Sequence, residues 1–170
     1  KDIPTNENKY AYISALQSNG QTDQALIVLN KILKKFPKNL ILNITKSEIL
    51  LSGQRLSEAQ KNIEQVLNIS PGNYPASIIK AKILSSKKEF IKAEEILRDL
   101  LISKNRDPGL WMQLSEVQRA GKNIVGYHLS RGEYYTLIGD FDNALNQFRF
   151  ALGLSGNSFQ TSETIMTKIK

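Results

Sequence analysis

Apolar residues recur along this chain with the spacing of amphipathic helices, and the same pattern returns at a fixed interval. The recurring apolar positions are Leu29, Ile32 and Leu33, then Ile63, Val66 and Leu67, then Leu97, Leu100 and Leu101, then Phe148, Ala151 and Leu152. Spacing of i, i+3 and i+4 predicts helices that bury one face each. Between these segments the chain carries polar and turn-forming residues, so the pattern predicts a series of helices joined by short turns.

Small residues and helix breakers follow the same interval. Those that carry it in the first part of the chain are Gly20, Ala25, Pro37, Ala59, Pro71 and Ala93. The three alanines are successively 34 residues apart, as are the two prolines. Because proline cannot continue a helix and glycine favours a turn, these residues separate a pair of helices from the next pair. The period therefore predicts a repeated helix–turn–helix unit of about 34 residues.

The most specific spacing lies in one stretch of the last third of the chain. Its small and aromatic markers are Gly132, Tyr135, Gly139, Phe141, Ala144, Phe148 and Ala151. We expect the small residues where two helices cross closely and the aromatic residues beside them. At these intervals the stretch resembles the tetratricopeptide repeat. The resemblance implies an all-α fold, a right-handed superhelix whose first helices line a concave surface.

The period divides the chain into units, and we expect one domain of residues 1–170 with about four repeats. The expected units are 6–39, 40–73, 74–107, a half-repeat 108–124, 125–158, and the start of a terminal helix at 159–170. The half-repeat follows because Ala93 and Ala144 are 51 residues apart, which adds one helix rather than two to the period. The helix near 124–138 then serves two pairs. Thr22 or Asp23 and Ser57 are expected to cap second helices.

Composition limits the chemistry that this chain can perform. It has one histidine, His128, no cysteine, and no phosphate-binding or H-E-x-x-H motif, so we expect no catalysis, metal or cofactor in this chain. The net charge of +7 is spread along the sequence. Without an aromatic platform or RNA-binding motif, the charge favours a solvated basic surface over a nucleic-acid site. No apolar run has the length of a membrane-spanning helix.

The run from 127 to 169, YHLSRGEYYTLIGDFDNALNQFRFALGLSGNSFQTSETIMTKI, carries a second resemblance. It is similar to the repeat-containing tail of bacterial zinc metallopeptidases of the β-barrel assembly-enhancing type. The shared elements are Gly132-Glu133-Tyr134-Tyr135, Gly139-Asp140, Ala144-Leu145, Gln147, Ala151-Leu152, Phe159-Gln160-Thr161-Ser162 and Ile165. Gly132 departs from the alanine usual in that family.

That second resemblance implies a longer parent protein. A zinc protease domain would precede Lys1, and we expect this chain, which begins with Lys rather than Met, to be an excised or processed piece. The parent would be periplasmic, would act in outer-membrane protein assembly and quality control, and would dock its repeats on the protease domain. The alternative is a free-standing adaptor of the same fold, for which a cytoplasmic location stays open.

The family's groove positions give the candidate binding residues. In such repeats the second, fifth, ninth and twelfth residues tend to face the concave side. In this chain they give a strip of Tyr10, Ile41, Ile44, Ile78 and Met112, edged by Glu48, Lys82, Glu116 and Arg119. Exposed apolar strips with polar rims usually mark contact surfaces. We expect the strip to bind an extended or helical apolar segment of a partner protein, unless a missing domain or the terminal helix covers it.

Overall fold

The computed structural model describes residues 6–156 and 159–169, and within these ranges it contains helices and turns but no strand. The helices are α1 (Asn6–Ser18), α2 (Thr22–Leu33), α3 (Leu40–Ser52), α4 (Leu56–Ile69), α5 (Tyr74–Ser86), α6 (Phe90–Ser103), α7 (Pro108–Ala120), α8 (Ile124–Leu137), α9 (Phe141–Leu154) and α10 (Phe159–Ile169). The all-α class is confirmed. The expected linker at residues 1–5 lies outside the described part. No helix among the described residues is both long and apolar enough to cross a bilayer.

The chain forms two compact units, Lys1–Lys87 and Lys88–Lys170. In the first unit, α1 to α5 pack consecutively, and α3 also contacts α5. In the second unit, α6 to α10 pack consecutively. The expectation of one domain with repeats bounded as above stays a prediction.

Capping differs between first and second helices of each pair. Asn39, Asn73 and Asp107 cap α3, α5 and α7 by accepting hydrogen bonds from backbone N–H groups in the first turn. The residues that precede α2, α4 and α6 form no side-chain cap. The caps expected at Thr22, Asp23 and Ser57 are therefore wrong, because the second helices begin at Thr22 and Leu56 and already contain these residues. The tight turn between paired helices enters the second helix without needing a capping oxygen.

A left-handed residue makes each of these tight turns possible. Gly20 and Gly139 have φ angles of +70° and +81°, as their place in the sequence suggests. In the other turns the same role falls to Gln54, Lys88 and Lys122, with φ near +60°. Left-handed backbone is strained for residues that carry a Cβ. Gly53, which the sequence presents as the turn glycine of the second pair, has a φ of −81° and only ends α3.

The first unit has one apolar core that runs through all five helices. Its fully buried large side chains are Ile13, Leu29, Leu42, Ile49, Leu50, Ile63 and Ile83. Ala25 and Ala59 are completely buried where second helices cross their partners. Ser47 of α3 is also completely buried, and its Oγ lies 3.4 Å from the carbonyl oxygen of Ala59. A small residue on each helix lets the two backbones approach closely at this crossing.

The second unit shows how one helix is shared between two pairs. Helix α8 packs against both α7 and α9. Its buried residues are all small, namely Gly126, Ser130 and Gly132. Gly126 and Ser130 approach Gln118 of α7, whereas Gly132 meets Phe148 of α9. Small residues on both faces allow α8 to lie close to two neighbours, which accounts for the odd helix in the series.

Candidate functional site

The expected apolar strip is only partly exposed in the first unit. Tyr10 is 42% exposed and Ile41 is 70% exposed, whereas Ile78 is partly buried. Ile44 is only 9% exposed and belongs to the apolar core of the unit. The expectation of an exposed Ile44 is wrong, because α3 is packed closely enough by its neighbours to take this position into the core. Tyr10 and Ile41 are thus the most accessible apolar residues of the strip.

The polar neighbours of the strip in the first unit are Glu48 and Lys82. Glu48 is partly buried and Lys82 is exposed. One turn beyond Glu48, Ser52 donates a hydrogen bond to the Glu48 carbonyl oxygen at 2.9 Å. Ser52 also accepts one from Gln17 Nε2 at 3.0 Å, which ties the ends of α1 and α3 together. The first helices of the unit therefore present a defined face rather than separate rods.

The remaining expected groove residues lie in the second unit on α7. Glu116 and Arg119 form an exposed ion pair at 2.8 Å, and this hydrogen bond is the main reason that the pKa of Arg119 is raised. Met112 is partly buried, and its sulfur accepts a hydrogen bond from Arg131 Nη1 at 2.9 Å. Met112 is thus engaged by a neighbouring helix. Whether any of the nine residues contacts a partner stays a prediction.

A small apolar pocket lies beside Tyr10. Its volume is about 160 Å³, and its lining residues are Tyr10, Ile32, Phe36, Asn39 and Leu42. The pocket joins the end of α2 to the beginnings of α3 and the α1 face, next to Ile41. Of this set, only Tyr10 was predicted from the sequence. The signal for the pocket was Phe36, 55% exposed before Pro37, which the repeat pattern does not single out.

A second, polar pocket lies between α3 and α4. Its volume is about 290 Å³, and its lining residues are Lys46, Leu50, Glu58, Lys61, Asn62 and Gln65. None of these residues was singled out from the sequence. Two lysines at the same face of a helix pair are a weak signal in a chain with a net charge of +7. Only the pairing of α3 with α4 brings them to one cavity.

A polar network crosses three helices of the second unit. Gln118 of α7 is 1% exposed, donates to Glu94 at 3.0 Å, and accepts from Ser130 at 2.7 Å. Arg98 and Asn123 also donate to the Glu94 carboxylate. Burial alone would raise the pKa of Glu94, but these hydrogen bonds outweigh it and hold the pKa below its usual value. The network replaces apolar packing at a position where the preceding pairs carry Leu16, Leu50 and Leu84.

Aromatic residues surround the cation of Arg131 on α8. The guanidinium carbon lies 5.5 Å from the ring centre of Tyr134 and 4.8 Å from that of Tyr135, within cation–π range. Nη2 donates to the Tyr135 hydroxyl at 2.6 Å. Arg131 occupies the position at which preceding second helices carry the buried Leu29, Ile63 and Leu97. The pairing of α7 with α8 is therefore more polar than the earlier pairings.

No catalytic arrangement emerges around the single histidine. The Nδ1 atom of His128 lies 2.8 Å from Gln147 Oε1, and its ring packs between Tyr127 and Phe150. Over the described ranges, no group of three or more His, Cys, Asp or Glu residues is placed to hold a metal ion. These contacts are those of a packed helix-surface residue.

Comparison with known proteins gives a fold. No protein-family model matches the chain, and no curated protein matches it. A tetratricopeptide repeat protein from Parabacteroides merdae superposes with a TM-score of 0.60 at 16% identity, over 95% of this chain and 70% of that one. A thermophilic protein of the same repeat class from Thermus thermophilus gives a TM-score of 0.59 at 16% identity, over 97% and 99%.

A third solved structure is similar over most of the chain. YrrB, described as a tetratricopeptide repeat protein with an unusual peptide-binding site, superposes with a TM-score of 0.54 at 12% identity, over 94% of this chain and 90% of its own. Identities this low carry the fold and not the function. Together with the helix series and the small-residue crossings, these likenesses show that the chain has the fold of tetratricopeptide repeat proteins.

Proposed function

We propose that this chain is a non-catalytic protein-interaction module, and that its first-helix face around Tyr10 and Ile41 binds an apolar segment of a partner protein. The observation that carries the proposal is the exposure of Ile41, which lies beside an apolar pocket that Tyr10 helps to line. Exposed apolar side chains next to a concavity are typical of contact surfaces. The polar rim of Glu48 and Lys82 would orient the bound segment. The peptide-binding site ascribed to YrrB supports a ligand of this kind.

The test uses a fluorescent amphipathic peptide with leucines at helical spacing as the probe. Replacing Tyr10→Ser together with Ile41→Asp should weaken binding at least about tenfold, because the two exposed side chains supply the apolar contact. Ile69→Asp, on an exposed isoleucine at the end of α4, is the matched control and should leave binding unchanged. Helical circular dichroism should be the same for all variants. Undiminished binding by the double variant would overturn the assignment of this face.

The wider biological setting is also a proposal. We propose that the module belongs to a periplasmic zinc metallopeptidase acting in outer-membrane protein assembly and quality control. Its support is the similarity of the run from 127 to 169 to the tails of that family. Zinc would be held by the parent's protease domain, on which this module would dock. The side chains of Phe159, Gln160 and Thr161, which are part of that similarity, lie outside the described part of the structure.

Reading the gene upstream of Lys1 tests this setting. The proposal expects an H-E-x-x-H helix and a secretory leader in the same reading frame. A complete upstream sequence without that motif would favour the free-standing adaptor, and a complete sequence without a leader would favour the cytoplasmic location. Neither outcome would affect the peptide-binding test, which concerns this chain alone.

A further inference from the structure

The polar pocket between α3 and α4 has a surplus of positive charge. Lys46 and Lys61 line it, and neither forms an ion pair with a described carboxylate. Glu58, the acidic residue of the lining, is already engaged by Arg55 through two hydrogen bonds at 2.7 and 2.8 Å. Lys46 acts on Glu58 only as a more distant charge. Two ammonium groups therefore remain available at the mouth of one cavity.

Amide groups complete the pocket. Asn62 is almost fully buried, and its Nδ2 donates inward to the Asn43 carbonyl oxygen at 2.6 Å and to Ser47 Oγ at 2.8 Å. These bonds fix the amide plane and use its donor group, which leaves the side-chain oxygen as the acceptor on offer. Gln65, one turn nearer the end of α4, adds an exposed amide. Amides at these positions suit the backbone N–H and C=O groups of a peptide.

The lining is particular to this pair of helices. The sequence positions 34 residues earlier are Tyr12, Leu16, Gln24, Ile27, Val28 and Lys31. The positions 34 residues later are Lys80, Leu84, Lys92, Glu95, Ile96 and Asp99. The first set carries one charge and the second has equal numbers of lysines and acidic residues. Two lysines beside an already paired carboxylate and a buried asparagine thus occur in the second pair and are not imposed by the repeat.

We propose that this pocket binds a glutamate or aspartate side chain of an extended partner peptide. Lys46 and Lys61 contact the carboxylate, Leu50 packs against its aliphatic stem, and Asn62 accepts a hydrogen bond from the peptide backbone. Charge complementarity selects the acidic residue, because the lining offers two cations and no carboxylate that lacks a partner. The inference rests on the proposed function as an interaction module. It uses a different face, since Lys46 and Leu50 lie on the side of α3 opposite Ile41 and Glu48.

The experiment titrates the full chain with a blocked octapeptide that has two central glutamates, and with its glutamine counterpart. The readout is the change in backbone amide shifts of α3 and α4. Saturable binding of the glutamate peptide should weaken about tenfold or more in the Lys46→Gln, Lys61→Gln variant, because charge-assisted hydrogen bonds are lost. The matched control, Lys34→Gln with Lys38→Gln, removes the same charge from exposed lysines outside the pocket and should change affinity less than about twofold.

Three results would overturn the inference. They are an absence of binding to the glutamate peptide, equal binding of the glutamine peptide, and equal losses in the two lysine pairs. Displacement of the peptide by a single-stranded oligonucleotide that binds more tightly and depends on Lys46 and Lys61 would reassign the pocket to nucleic acid. The apolar probe peptide separates this failure from failure of the proposed function. It should bind the pocket variant as it binds the unaltered chain.

Discussion

The ring of Phe148 lies against the backbone of Gly132 where α8 crosses α9. A Cβ atom at position 132 would stand 2.6 Å from Phe148 Cδ1 and 2.7 Å from its Cζ. Phe148 is itself buried in the core that α9 shares with Ile165 of α10. The ring cannot move aside without disturbing that core, so the crossing requires glycine here even though the similar peptidase tails usually carry alanine.

We therefore expect Gly132→Ala to destabilise the chain by about 1–3 kcal/mol, despite the better helix propensity of alanine, because the new methyl group overpacks the crossing. Urea unfolding followed by circular dichroism measures the change. The control is Gly153→Ala in α9, where an added Cβ would meet nothing within 4 Å and alanine should stabilise by about 0.5–1 kcal/mol. Equal effects of the two changes would show that α8 and α9 are not packed this closely.

Replacing a strained turn residue should stabilise the chain. Lys122 has a φ of +62° between α7 and α8, a conformation that costs a residue with a Cβ about 1–2 kcal/mol. We expect Lys122→Gly to raise the free energy of unfolding by about 0.5–1 kcal/mol after the entropy of the unfolded glycine is taken into account. Gly139→Ala, at a φ of +81°, should have the opposite effect. Thermal melts that shift in the same direction for both variants would contradict this account of the turns.

The buried alanines should not tolerate larger side chains. Ala93 on α6 is completely buried, so Ala93→Leu should cost about 1–3 kcal/mol through overpacking. Ala120, exposed at the end of α7, provides the matched change to leucine, which should be close to neutral. Calorimetric melting temperatures compare the two. An unaltered melting temperature for Ala93→Leu would mean that the alanine does not lie at a close helix crossing.

Acid should weaken the second unit through Glu94. Because its pKa in the folded chain lies below the ordinary glutamate value of about 4.5, Glu94 stabilises the fold above that value. This stability is lost as the pH falls through the folded pKa. We expect the urea midpoint of the unaltered chain to fall more steeply between about pH 5 and about pH 3 than that of Glu94→Gln, which cannot titrate. Parallel pH profiles would show that the network does not depend on the charge of Glu94.

The helical class, the period and the odd helix all follow from the order of the residues. A helix that must bury one face leaves a regular apolar spacing, and helices that cross closely need small residues at fixed positions. Both requirements leave their mark along the chain, so Ala25, Ala59 and Ala93 could be located from the sequence. The interval from Ala93 to Ala144 likewise indicated that one helix is shared, and α8 does pack on both α7 and α9.

Which side chains are accessible, and which polar groups meet, depends instead on how the helices pack. Ile44 and Ile41 differ by three residues, yet one is in the core and the other is exposed, because burial depends on how closely neighbouring helices approach each face. The left-handed turn residue of the second pair is Gln54 rather than the adjacent Gly53, since chain geometry and not residue preference fixes that position. Lys46 and Lys61 line one pocket because α3 and α4 pack side by side. Periodicity describes a single helix, whereas a site is made by the contact between helices.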